Sequence, residues 1–101
     1  MTICRHYSLI AKDGSQDQLA QALHDLAGKI RPLPGCEGVE LYQDTSERSR
    51  FIFIERWASM NDHKAGGQFL GKQAFTEVTA AVSAPPVAMF IESRLILCVN
   101  V

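Results

Sequence analysis

Residues 50–57 read Arg-Phe-Ile-Phe-Ile-Glu-Arg-Trp, and this stretch limits the fold more than any other. Successive side chains of a strand point to opposite faces. Phe51 and Phe53 therefore share one face, while Ile52 and Ile54 share the other. A sheet with one face in water alternates apolar and polar residues; a sheet covered on both faces does not. The stretch is expected to be an inner strand whose two faces are both buried.

The rest of the chain supplies partners for it. Residues 3–11 read as a first strand, closed by Asp13-Gly14. Ser15-Gln16-Asp17-Gln18 has the form of a capping box. Leu19, Leu23, Leu26 and Ile30 then follow at helical spacing. That helix is expected to stop near Arg31, because Pro32 disfavours helical geometry in the residue before it. Residues 34–38 form a turn, and residues 39–44 a second strand. The polar loop 45–49 joins it to the third strand, 50–58, as a hairpin. Ser59 caps a further helical region. Interior glycines cost roughly 1 kcal/mol each, so Gly66-Gly67 predict a break between a short helix, 60–65, and a main helix, 70–82. Ala84-Pro85-Pro86 ends the main helix, and 87–99 reads as a long final strand.

The order βαββαβ over residues 1–101 predicts a single α+β domain. Its expected form is a ferredoxin-like, four-stranded antiparallel sheet with its helices on one face. No element is left for the other face, although strand 50–58 presents Ile52 and Ile54 there. A second copy of the chain is the economical cover. The expectation is a homodimer with sheets packed face to face, residues 87–99 supplying much of the contact.

Composition narrows the function by exclusion. The net charge is −1, 47% of residues are apolar, and no segment concentrates Lys or Arg. That balance does not suit a nucleic-acid or membrane-surface partner. The N-terminal apolar run is interrupted by His6 and Ser8, unlike a signal peptide. The three cysteines are widely spaced and lack a C-x-x-C pattern, which reads as reduced thiols in a cytoplasmic protein. No metal-ligand spacing, phosphate-binding glycine loop or nucleotide fingerprint is present, so no cofactor is expected.

The residues able to carry chemistry are few. Glu55 and Arg56 point to opposite faces and cannot pair with each other across the sheet. Each is either half of a structural ion pair or an orienting group for a ligand. Trp57 is either plain core or a polar N–H handle beside a cavity. His63 falls beside the glycine-rich segment, either on the surface or at a pocket mouth. His6, within the first strand, belongs either to a pocket or to the dimer interface.

Three segments carry a family likeness. They are Pro34-Gly35-Cys36-Glu37-Gly38 leading to Glu40-Leu41-Tyr42, the strand Phe51-Ile52-Phe53-Ile54-Glu55-Arg56-Trp57, and Gln73-Ala74-Phe75. Together they resemble the antibiotic biosynthesis monooxygenase (ABM) domain of the dimeric α/β-barrel superfamily. The resemblance implies a homodimeric α/β barrel with a ligand pocket between sheet and helices. It also implies oxidation of a small aromatic or quinol-like compound by molecular oxygen, without metal or flavin. On that reading His6 and His63 are the candidate proton acceptors. Arg5, Phe53, Glu55, Arg56, Trp57 and Phe75 are the candidate substrate-binding residues. Family members often carry histidines where this chain has Gly66 and Gly71, its own histidine being displaced to His63. The asparagine and tryptophan of the haem-degrading branch have no counterparts. The alternative is a non-catalytic dimeric module of the same fold that binds a small ligand or serves as a scaffold.

Overall fold

The computed structural model describes residues 1–98. Four strands form one antiparallel sheet: β1 (Ile3–Ile10), β2 (Cys36–Gln43), β3 (Arg50–Trp57) and β4 (Val87–Glu92), in the order β2-β3-β1-β4. Three α-helices, α1 (Gln16–Ile30), α2 (Met60–Leu70) and α3 (Thr76–Ala81), accompany it among the described residues. This is the α+β, ferredoxin-like arrangement expected from the element order.

Register assigns every strand residue to a face. Directly opposed residues of an antiparallel pair point the same way. Tyr7 opposes Phe53 and Arg5 opposes Glu55 on the β1–β3 ladder, and Phe90 of β4 opposes Arg5. These side chains share the face that meets the helices. Phe51, Phe53 and Trp57 pack there with Leu19, Leu23, Leu26 and Ile30 of α1 and with Val78 and Ala81 of α3. Burying seven such large apolar side chains, at about 1.5–3 kcal/mol each, is the main source of cohesion. The opposite, open face carries His6, Ile52, Ile54, Arg56, Met89 and Ile91. Met89 and Ile91 are 48% and 42% exposed there.

Several boundaries differ from the sequence reading, each for a physical reason. Ser15 precedes α1, but its side chain makes no capping bond, so the expected capping box is not formed. Strand β2 starts at Cys36, ahead of the expected residue 39, through an irregularity between Cys36 and Gly38. Helix α2 does not break at Gly66-Gly67. It runs on to Gly71, whose positive φ of 72° ends it. A 3-10 turn, Lys72–Phe75, then leads into a main helix shorter than expected. The final strand stops at Glu92, not near residue 99. Its only neighbour among the described residues is β1, and Glu92 already pairs with Ile3, the first residue of that strand. Residues 93–98 continue without a ladder, and Val99 lies outside the described residues.

Candidate functional site

The period-two alternation of β3 sets Glu55 and Trp57 side by side on the helix face. Both are buried, at 4% and 1% exposure. The indole Nε1–H of Trp57 donates to Glu55 Oε1 at 3.0 Å. A buried carboxyl with one such partner is costly to ionise. Burial accordingly pushes the Glu55 pKa above the usual carboxylate value, while the indole N–H and the Arg5 guanidinium oppose that shift.

Helix α2 brings His63 over this pair. Ser59 Oγ accepts the backbone N–H of Asp62 at 3.1 Å, which fixes where the helix begins and hence which face His63 occupies. The His63 ring meets Trp57 edge-on at 5.8 Å between centroids and Phe90 edge-on at 5.1 Å. Its Nε2 is 3.9 Å from Glu55 Oε1, too long for a hydrogen bond but close enough for an ion pair if protonated. Burial, helped by the Arg5 charge, holds the His63 pKa below its ordinary value. The neutral imidazole, able to accept a proton, is favoured.

Arg5 and Tyr7 of β1 complete the cluster. The Arg5 guanidinium stands 4.1 Å from the Phe90 ring centroid and 5.3 Å from that of Tyr7. Tyr7 in turn packs obliquely on Phe53 at 6.2 Å. Burial, and then Glu55, raise the Tyr7 pKa.

Three spaces adjoin these residues. An inner cavity of about 210 Å³ between sheet and helices is lined by Tyr7, Leu23, Leu26, Phe53, Glu55 and Phe75, among others. A small void of about 30 Å³, bordered by Tyr7, Glu55, Trp57, His63 and Phe75, adjoins the same residues. An open groove of about 700 Å³ runs outside α2 along Met60, His63, Lys64, Gly67, Gln68 and Phe90. His63 borders both the void and the groove. The polar cluster is therefore a partition between the interior and the surface.

Of the residues expected from sequence, Arg5, Phe53, Glu55, Trp57, His63 and Phe75 come together on the helix face. His6 and Arg56 do not, and this corrects the expectation for both. His6 opposes Ile54 and Met89 on the open face. Arg56 Nε donates to Glu40 Oε1 at 2.7 Å on that same face, and the Tyr42 hydroxyl donates to Glu40 as well. Those two donors, Tyr42 first, lower the Glu40 pKa. Arg56 thus belongs to a structural ion pair, with no route through the sheet to the cavity. Tyr7 and Phe90 were missed. Tyr7 shares parity with Arg5, which was the available signal. Phe90 could be placed only once the register of β4 against β1 was known.

Among the described residues, no three His, Cys, Asp or Glu side chains stand close enough to hold a metal ion together. No described helix is long and apolar enough to cross a membrane.

Comparison with known proteins places this geometry. Solved structures share the fold along nearly the whole chain. A variant of SnoaB, a cofactor-independent oxygenase from Streptomyces nogalater, superimposes with a TM-score of 0.82 at 13% identity, covering 95% of this chain and 96% of that one. A protein from Caulobacter crescentus CB15, described as a candidate antibiotic biosynthesis monooxygenase, gives a TM-score of 0.80 at 22% identity, over 91% and 89% of the two chains. A conserved protein from Methanosarcina mazei Go1 gives 0.82 at 11% identity, over 93% and 94%. A search of curated proteins gave no match. At these identities the structural likeness speaks for the fold alone; the sequence profile of one family speaks for more. It matches residues 2–69, from β1 through the end of β3 and most of α2, and so spans every residue of the site described above except Phe75 and Phe90 and the α3 part of the cavity lining. On that match, the chain belongs to the antibiotic biosynthesis monooxygenase family.

Proposed function

We propose that this protein is a cofactor-independent monooxygenase that oxidises a small aromatic or quinol-like compound in the inner cavity. One observation carries the reading. A largely apolar cavity is bordered by the buried carboxyl of Glu55, and the His63 imidazole, whose pKa burial lowers, stands 3.9 Å from that carboxyl on the small adjoining void. Aromatic walls from Tyr7, Phe53 and Phe75 suit a flat ring, and Glu55 adds a polar group to the same lining.

In this scheme His63 takes a proton from the substrate. The nearby Glu55, once ionised, stabilises the imidazolium that results, and Arg5 steadies the negative charge left on the substrate. The substrate anion then gives electrons to oxygen and forms a carbon-bound hydroperoxide. Loss of water cleaves the O–O bond and leaves a carbonyl. The sum is R₂CH₂ + O₂ → R₂C=O + H₂O; the substrate supplies all four electrons, so no further reductant is needed.

The open face suits a second copy of the chain. Ile52, Ile54, Met89 and Ile91 form an apolar surface there, and a sheet-to-sheet homodimer would cover it. The expected location is the cytoplasm, in keeping with Cys4, Cys36 and Cys98 as free thiols.

One observation favours a second reading, a non-catalytic dimeric binding or scaffold module. The cavity, about 210 Å³, falls below the roughly 300–1,000 Å³ of usual ligand sites. A cavity of about 150 Å³ does hold a benzene ring, so the size points to compounds of one or two rings. Oxygen uptake with hydroquinones, naphthols and anthrones separates the readings. Turnover that His63→Ala abolishes and His6→Ala leaves intact supports the oxygenase. No uptake across the panel supports the binding module.

A further inference from the structure

The mechanism above uses Arg5 only to steady charge, yet its surroundings are unusual for a structural arginine. Its Nε is buried and has no hydrogen-bond partner among the described residues. No carboxylate lies within ion-pair distance of it among those residues. The residue as a whole is partly buried, yet a buried N–H is ordinarily hydrogen-bonded, since leaving it without a partner is costly. The acid opposite it in register, Glu55, already accepts the Trp57 indole N–H with Oε1.

The rings beside Arg5 give its Nε no acceptor. Phe90 lies 4.1 Å and Tyr7 5.3 Å from the guanidinium carbon. Contact with ring faces uses the flat side of a guanidinium and leaves its N–H donors, which lie in its plane, free to point sideways. One of these rings lines the inner cavity and the other the outer groove. Arg5 itself lines neither space, but its guanidinium stands beside one ring of each. The groove leading to that partition is lined by Lys64 and His63 and by no carboxylate. Lys64 is the one charged side chain of that lining among the described residues, and its sign favours the approach of an anion.

We propose that Arg5 is an anion-recognition group and that the ligand of this site is an aromatic carboxylate. Its ring fills the inner cavity, and its carboxylate pairs with the guanidinium beneath Phe90. A carboxylate matches the paired in-plane donors of a guanidinium, which a neutral amide or ester of the same shape does not. The inference deepens the reading of the cavity as a ligand site and names the class of compound that enters it.

Calorimetric titration of the wild-type chain with salicylate, salicylamide and methyl salicylate tests it. Salicylate is expected to bind about tenfold or more tighter than either neutral analogue, the usual worth of a hydrogen bond to a charged group. Arg5→Met is expected to reduce that preference to within about twofold to threefold while still binding salicylamide, and Arg5→Lys to keep only part of it. Equal binding of acid and amide by the wild type overturns the inference and leaves the ligand-site reading standing. A preference that survives in Arg5→Met also overturns it. Failure of all three compounds to bind the wild type overturns both. The wild-type comparison decides the matter even if a variant does not fold.

Discussion

The most consequential single residue is Glu55, because it carries a titration into the core. Its folded pKa is raised by burial, so the folded state holds its proton more tightly than the unfolded chain does. The stability this supplies is complete below the ordinary value of 4.5 and is lost as pH rises through the folded value. His63 acts in the opposite sense. Its folded pKa is lowered, so its contribution is complete above 6.5 and is lost as pH falls through the folded value. In the wild type the two slopes oppose each other. Glu55→Gln, which keeps an acceptor for the Trp57 N–H, is expected to expose a loss of stability toward acid. His63→Gln is expected to expose a loss toward neutral pH instead. Urea unfolding at a series of pH values reads both, and identical profiles for the two variants would refute the assignment. At this scale the sequence was half legible. Parity alone put Glu55 and Trp57 together. It could not say which face of the first strand looked inward, so His6 and Arg56 were grouped with residues that lie across the sheet from them.

Among the elements, α2 shows how packing overrides propensity. Gly66 and Gly67 suggested a break, since each weakens a helix by roughly 1 kcal/mol relative to alanine. The helix runs through them because Gly66 rests on the indole: a Cβ at that position would lie 2.7 Å from Cη2 of Trp57. Nothing stands within 4 Å of a Cβ at Gly67. The two neighbours are therefore predicted to respond with opposite signs. Gly67→Ala should stabilise by up to about 1 kcal/mol through propensity. Gly66→Ala should destabilise by about 1–3 kcal/mol through overpacking and should displace His63 from the partition. Thermal unfolding of both variants checks the signs. The succession of elements along the chain and the hairpin of β2 and β3 were readable because alternation and turn residues are local. The end of β4 was not, because it is set by where β1 begins, nearly ninety residues away in sequence.

For the whole molecule, the two faces of the sheet carry separate tasks. The helix face holds the polar cluster and the cavity; the open face holds apolar side chains that no described helix covers. The lack of alternation in β3 made this division legible from the outset. If a second copy covers the open face, Ile54→Glu should convert a dimer to a monomer in sedimentation velocity. Gly67→Ala, remote from that face, should leave the assembly unchanged. A wild type that sediments as a monomer would refute the pairing. The chain has one tryptophan, and it sits within the partition, hydrogen-bonded to the acid and edge-on to the histidine. Its fluorescence is consequently an unlabelled reporter of the site. An aromatic guest in the inner cavity should quench the emission, whereas unfolding should shift it to the red, so filling of the site and loss of the fold can be followed separately in one cuvette.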